Sequence, residues 1–300
     1  MKVATIAMGI GLGAFLVIGC GDAIVDNIIN PQTNKKNVAS ATMTALGTST
    51  DTPSYGKALG SGSRLSALNI VLHKFPAVIR PVLANTRTEK LGGTATEPCL
   101  GGGSMETTSS GNGTSVTNTV VYHSCISHNV TINGTMSVSD ELSSGSLSAL
   151  LTDLNATYSD GNVTYYSSAS FRRTGQVSSL LTTEANITGY TKTQTEKTEF
   201  DNLKLVVTQN SENLLTYSLS GKLKPPCPNE WITFATPTTV TGNVDAPCPT
   251  AGIITATFSG SSVKTEFNSD GGVDVTLDGE TTHYDSCKDI ESNNSSCSVD

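Results

Sequence analysis

Apolar residues fall on every second position over long stretches of this chain. Val116, Val120, Tyr122, Ile126, Val130, Ile132, Met136 and Val138 all occupy even positions. Val163, Tyr165, Ala169 and Phe171 keep to odd ones, as do Leu203, Leu205 and Val207, then Leu215, Tyr217, Leu219 and Leu223. A period of two is the mark of strands with one buried face. The runs are punctuated by Asn112-Gly113, Asp160-Gly161, Asp270-Gly271 and Asp278-Gly279, dipeptides that supply the positive φ of tight hairpin turns. Gln209-Asn210-Ser211-Glu212-Asn213 is a polar turn between two such runs. Asn133-Gly134 differs, because the alternation passes through it; it reads as a bulge or a glycine inside a strand. About a dozen strands on short connections predict an antiparallel meander, since parallel strands need long crossovers.

One segment departs from this pattern. From Ser63 to Ala84, apolar residues recur at helical spacing behind Ser63 as N-cap, and Pro76 and Pro81 impose a break. The expected fold class is therefore mainly β: an extended antiparallel meander sheet, curved or barrel-like, with one N-terminal helix packed on it. Residues 57–98 form the helical segment and residues 99–300 the β domain, with Pro225-Pro226-Cys227-Pro228 marking a candidate subdivision near 225. Between Gly21 and about Tyr55 no period persists, and residues 20–56 read as a flexible tether.

The N-terminus carries the most specific signal. Lys2 is followed by 16 uncharged residues from Val3 to Ile18, too short and glycine-rich for a comfortable membrane span and suited to a signal-peptide core over residues 1–19. It ends in Leu16-Val17-Ile18-Gly19-Cys20. This resembles the lipobox of bacterial lipoproteins. The resemblance implies cleavage before Cys20, a diacylglycerol (palmitate-type) anchor on its sulfur and acylation of its amine, which together give a durable membrane attachment. Gly21, rather than Asp, after that cysteine implies sorting to the outer membrane of a Gram-negative bacterium, facing periplasm or cell surface.

Composition sharpens this picture. Seven cysteines are an odd number for a disulfide framework. With Cys20 lipidated, six remain: Cys99, Cys125, Cys227, Cys248, Cys287 and Cys297. An oxidising compartment suits their pairing. Fifteen pairings exist for six cysteines; neighbours joining neighbours is the simplest, Cys99 to Cys125, Cys227 to Cys248 and Cys287 to Cys297, with Cys227 to Cys287 as the rival. Ser and Thr make up about a quarter of the chain, as strands and turns favour. The net charge of −8 becomes −9 once Lys2 is removed, which excludes the basic footprint of a nucleic-acid binder.

Candidate chemistry is sparse. His123-Ser124-Cys125-Ile126-Ser127-His128 offers three soft ligands in six residues, but His123 and Cys125 share one strand face and His128 takes the other, so a disulfide with surface histidines is expected. Asn268 to Asp274 is loosely like a calcium loop without its terminal bidentate Glu, and reads as an Asp-Gly hairpin. No nucleophile elbow, Ser-x-x-Lys set or His-Glu-x-x-His is present. Asp140, Glu141 and Asp285 form no recognisable catalytic pair. No catalysis, cofactor or metal is expected. Trp231, the single tryptophan, reads as a core or rim residue, and scarce aromatics argue against a carbohydrate-binding face.

Beyond the lipobox, Asn133-Gly134-Thr135, Cys248-Pro249-Thr250-Ala251-Gly252 and Asp278-Gly279 are similar in style to β-rich, disulfide-bearing Gram-negative outer-membrane lipoproteins of unknown function. Two functions follow as expectations: a structural or binding protein of the cell envelope with a protein or glycan partner, or a lipid carrier with an apolar cavity between helix and curved sheet. The carrier resembles half-barrel lipoprotein carriers in architecture.

Overall fold

The computed structural model describes residues 93–289, apart from 113, 128, 142–145, 177–178, 195–196, 213, 226–228, 244–245, 247 and 288. The expected signal segment, lipid-bearing Cys20, tether and Ser63–Ala84 helix, together with Cys227 and Cys297, fall outside the described residues.

The described chain is one 14-stranded antiparallel sheet in which every strand pairs with its neighbours in sequence. The strands are β1 (Gly93–Pro98), β2 (Ser104–Asn112), β3 (Ser115–Ser127), β4 (Val130–Glu141), β5 (Ser146–Tyr158), β6 (Val163–Gln176) and β7 (Leu180–Lys192). They continue with β8 (Lys197–Asn210), β9 (Leu214–Lys224), β10 (Ile232–Asn243), β11 (Ala251–Phe258), β12 (Ser261–Phe267), β13 (Val273–Leu277) and β14 (Glu280–Tyr284). The expected meander is present. Barrel closure is not, because β1 and β14 stand at opposite ends of the strand order. The sheet also begins upstream of residue 99, since β1 starts at Gly93. It continues across the proline cluster, with β9 and β10 paired on either side.

Three of the turn dipeptides join two strands as their chemistry predicts. Asp160-Gly161 links β5 to β6, Asp270-Gly271 links β12 to β13, and Asp278-Gly279 links β13 to β14. In the β5–β6 turn, Asp160 accepts from the Asn162 amide at 3.0 Å. The Asx geometry replaces a missing ladder bond.

One face of the sheet is buried as a single apolar cluster running from Val120 in β3 to Cys287 beyond β14. In β11, β12 and β13 the alternation is regular, and Ile254, Val263, Val273 and Val275 are at most 1% exposed. Four of the longer strands break it. Inner residues step by three, not two, from Tyr122 to Cys125, Leu151 to Leu154, Tyr166 to Ala169 and Phe200 to Leu203, and all eight are buried. An extra residue sits at each step: the strand register shifts there in β3, β5, β6 and β8. These are β-bulges, which bend the strand and add twist. Ser124, Asp153 and Asn202 take the extra position with φ of 48°, 47° and 47°. A one-residue slip would send every later side chain to the opposite face; here it returns the apolar ones to the core.

Two sequence expectations are corrected by these bulges. Ile126, expected inward, is 36% exposed, and Cys125 takes the inner place. Val163 and Tyr165, expected inward with Ala169 and Phe171, lie on the outer face; Thr164 and Tyr166 are the buried pair at 2% and 0% exposure. Asn133-Gly134 behaves as read: the register shifts between Asn133 and Thr135 opposite Asn155 and Thr152.

Glycine faces the bulges across the sheet. A Cβ on Gly134 would lie 2.3 Å from the Asp153 carbonyl oxygen, and one on Gly221 would lie 2.0 Å from that of Asn202. Gly103, Gly189 and Gly252 are similarly blocked, by backbone atoms of β3, β6 and β10. A transverse seam of bulge against glycine thus crosses five strand pairs, from β2–β3 to β10–β11.

Gly221→Ala should destabilise the fold by about 2 kcal/mol or more, through a positive φ plus backbone overlap. Gly260→Ala, in an open turn with φ of 81° and nothing within 4 Å, should cost only about 1 kcal/mol. Paired urea melts check the difference, and equal losses would contradict the seam.

Candidate functional site on the outer face of the sheet

Opposite the core, Thr and Ser are the commonest residues of the outer face. Hydroxyls pair across strands, Thr117 with Ser139 and Thr119 with Ser137 at 2.8 Å each, and Thr276 with Thr281 at 2.8 Å. Such pairs each stabilise a sheet by roughly 0.2–1 kcal/mol and leave a polar, wettable surface. Against this background one line of residues stands out.

In register, Asn133 of β4 lies opposite Asn155 of β5, which lies opposite Tyr165 of β6. Tyr165 faces Tyr190 of β7, Tyr190 faces Glu199 of β8, and Glu199 faces Lys224 of β9. Continuing the Ile232–Leu223 pairing by one residue sets Trp231 opposite Lys224. Ile232 is fully buried, so the pleat turns its neighbour outward, and Trp231 is 41% exposed. The line crosses from β4 to β10 at one level of the sheet, about 29 Å at ordinary strand spacing.

The bulges create this line. In β6 the extra residue after Tyr166 lets Tyr165 face outward while Ala169 and Phe171 stay buried. In β5 the bulge carries Asp153 beside the tyrosine, whose hydroxyl donates to Asp153 Oδ1 at 3.0 Å. That bond, by holding the neutral phenol, raises the Tyr165 pKa above its usual value. The Tyr165 and Tyr190 rings lie 5.3 Å apart at 41°, a tilted contact worth roughly 0.5–1.5 kcal/mol. Lys197 Nζ sits 4.7 Å from the Tyr190 centroid and 2.7 Å from Glu199 Oε2. Lys224 Nζ approaches Glu199 Oε1 at 3.6 Å. The hydrogen bond from Lys197 chiefly lowers the Glu199 pKa, so this carboxylate stays ionised between two ammonium groups.

Among the described residues, Tyr165, Tyr190 and Trp231 are the aromatic side chains on the outer face, and all three fall on this line. The other described tyrosines and phenylalanines belong to the inner side: Tyr122, Tyr166, Tyr217, Phe171, Phe200, Phe234, Phe258 and Phe267 are buried, and Tyr284 packs against them. Tyr158 is largely buried as well, its hydroxyl bonded to the inner-face Thr164. Tyr165-Tyr166 already carried a signal, since adjacent residues of a strand must face opposite ways. Trp231, expected as core or rim, is an outer-face residue.

The remaining sequence candidates resolve as follows. Cys99 and Cys125 are joined, as expected, with Cα atoms 5.4 Å apart. Cys248 is joined to Cys287, with Cα atoms 5.6 Å apart, so neither Cys227–Cys248, Cys287–Cys297 nor Cys227–Cys287 forms. Cys248 precedes β11 and Cys287 follows β14 at the same end of the sheet. Their bond crosses the ends of β12 and β13, a span no strand-by-strand pattern announces. Chain-entropy arguments assign each bond roughly 3–4 kcal/mol. His123 is exposed while Cys125 is buried and spent in its disulfide, because the Ser124 bulge separates their faces; His128 lies outside the described residues. Asn268 to Asp274 is a hairpin turn: Asn268 Nδ2 donates to Asp274 Oδ2 at 3.0 Å, and Asp270 Oδ1 accepts from the Gly272 amide at 2.9 Å. Asp140 and Glu141 close β4, remote from Asp285 after β14.

His283 on edge strand β14 meets Asp274 at 2.7 Å. That hydrogen bond raises the His283 pKa and lowers that of Asp274. No protein-family model matches the chain, and no curated protein matches it.

The raised imidazole contributes stability below about pH 6.5 and loses it as pH rises through its folded value. The lowered carboxylate contributes above about pH 4 and loses that as pH falls. The melting-temperature gap between wild type and His283→Gln should therefore be widest between about pH 4 and 6.5 and close towards pH 8. A gap that grows with pH would contradict the pair.

Proposed function

We propose that this chain is a lipid-anchored, non-catalytic protein of the bacterial cell envelope that binds an envelope partner through the outer face of its sheet. The observation that carries the reading is the line of outward aromatics, amides and charges from Asn133 to Trp231. A purely structural sheet needs polar outer residues; it does not need its outward aromatic rings on one register line.

Three further features support it. The Leu16 to Cys20 motif supplies the anchor, attached to the outer membrane given Gly21. The Cys99–Cys125 and Cys248–Cys287 bonds suit an oxidising compartment outside the cytoplasm. Residues 20–56, read from the sequence as a tether, would give the sheet reach from the bilayer to partners at the envelope.

Cys20→Ala should abolish incorporation of labelled palmitate and move the protein from the membrane to the soluble fraction. Unchanged labelling and membrane retention would overturn the anchor.

A further inference from the structure

We infer that the aromatic line is a platform for a linear, neutral glycan laid across the strands: aromatic residues are scarce in the chain, but the outward rings of the described residues share one register line. The inference rests on the binding role proposed above and names its ligand class.

The chemistry of the line selects the occupant. Sugar rings present apolar C–H faces that stack on aromatic rings, and equatorial hydroxyls that need donors and acceptors at the rim. Tyr165 and Tyr190 supply adjoining rings 5.3 Å apart, one strand spacing, which is about the width of one pyranose. Trp231 lies three strands further along the same line, roughly 14 Å away. Between them Glu199 and Lys224 offer an acceptor and a donor, and Asn155 adds an amide beyond Tyr165. Polar groups alternating with rings along about 29 Å match an extended oligosaccharide of about six units. A compact monosaccharide would touch only one element of the line.

The balance of charge disfavours a polyanion. Around the rings Lys192, Lys197 and Lys224 stand with the carboxylates of Glu199 and Asp153, three charges against two, so the line carries a single net positive charge and not a stripe for a polyanion. The chain as a whole is at −8, which repels acidic polysaccharides and anionic lipid. Few apolar side chains border the rings. The neighbouring outer positions are Val163, Asn155, Thr188 and Lys192, none of them a pocket for an apolar peptide anchor.

The chain has one tryptophan, so intrinsic fluorescence reports directly on the far end of the line. Full-length protein in a sugar-free zwitterionic detergent is titrated with chitohexaose and with cellohexaose. The expected result is a saturable change in Trp231 emission with at least one of them. Calorimetry should then show affinity at least ten-fold weaker in Tyr190→Ala, near wild type in Tyr190→Phe, which keeps the ring, and unchanged in Leu150→Ser, elsewhere on the outer face. Because Tyr190→Ala also removes a cross-strand contact, its melting curve is recorded first, and the wild-type titration stands without it. No saturable response to either hexasaccharide by the folded wild type would overturn the inference. So would an equal response in a folded Tyr190→Ala, or binding of anionic vesicles or protein at Trp231 with no response to sugar. Palmitate labelling of Cys20→Ala is read separately, so loss of the glycan leaves the anchor standing or falling on its own result.

Discussion

A strand of more than ten residues has to keep its apolar side chains on one face while its neighbours twist and bend around it, and the pleat allows no exception to its period of two. In this protein the conflict is met at one level of the sheet. Ser124, Asp153 and Asn202 each accept a left-handed backbone, an extra residue enters β3, β5, β6 and β8, and a glycine on the facing strand makes room for the displaced carbonyl. Side chains nearby satisfy the freed backbone: Asn133 Oδ1 accepts from the Ser124 amide at 2.7 Å, and Thr188 Oγ1 accepts from that of Asn202 at 3.0 Å. Both halves of each strand then feed the same core. Without the bulges, half of β3, β5, β6 and β8 would turn its apolar side chains outward and its polar ones inward.

The same device shapes the outer surface. A residue gained on the inner register is a residue turned outward, and it is at the seam that Tyr165 and Asp153 come to share the outer face. The aromatic line therefore depends on the backbone that closes the core. The disulfides act at the sheet's margins: Cys99–Cys125 ties the β1–β2 turn to β3, and Cys248–Cys287 draws the last strand back to the β10–β11 connection.

Much of the fold was legible in the sequence. The meander follows from alternation plus Asp-Gly turns, because a tight turn leaves an antiparallel neighbour as the sole choice. The Asn133-Gly134 irregularity was visible because the period continued past a residue unsuited to a strand. Parity alone puts Tyr165 and Ile126 on the wrong face, because it assumes no bulge, and the three-residue steps from Tyr122 to Cys125 and Tyr166 to Ala169 leave no mark in the apolar pattern. Partnering of Cys248 was illegible because it depends on which strand ends meet, a tertiary fact. The line itself joins residues nearly a hundred positions apart, from Asn133 to Trp231, and only strand register brings them together.

The claim that a bulge inverts the pleat while preserving one buried face is tested most directly in β6. Single cysteines at Thr164, Ser168, Ala169 and Ser170 in the folded protein, its native disulfides intact, are challenged with a water-soluble maleimide. The account predicts slow labelling at Thr164→Cys and Ala169→Cys, buried at 2% and 0% exposure, and fast labelling at Ser168→Cys and Ser170→Cys. Protection that follows parity unbroken from 164 to 170, with Thr164→Cys matching Ser168→Cys and Ser170→Cys, would contradict it.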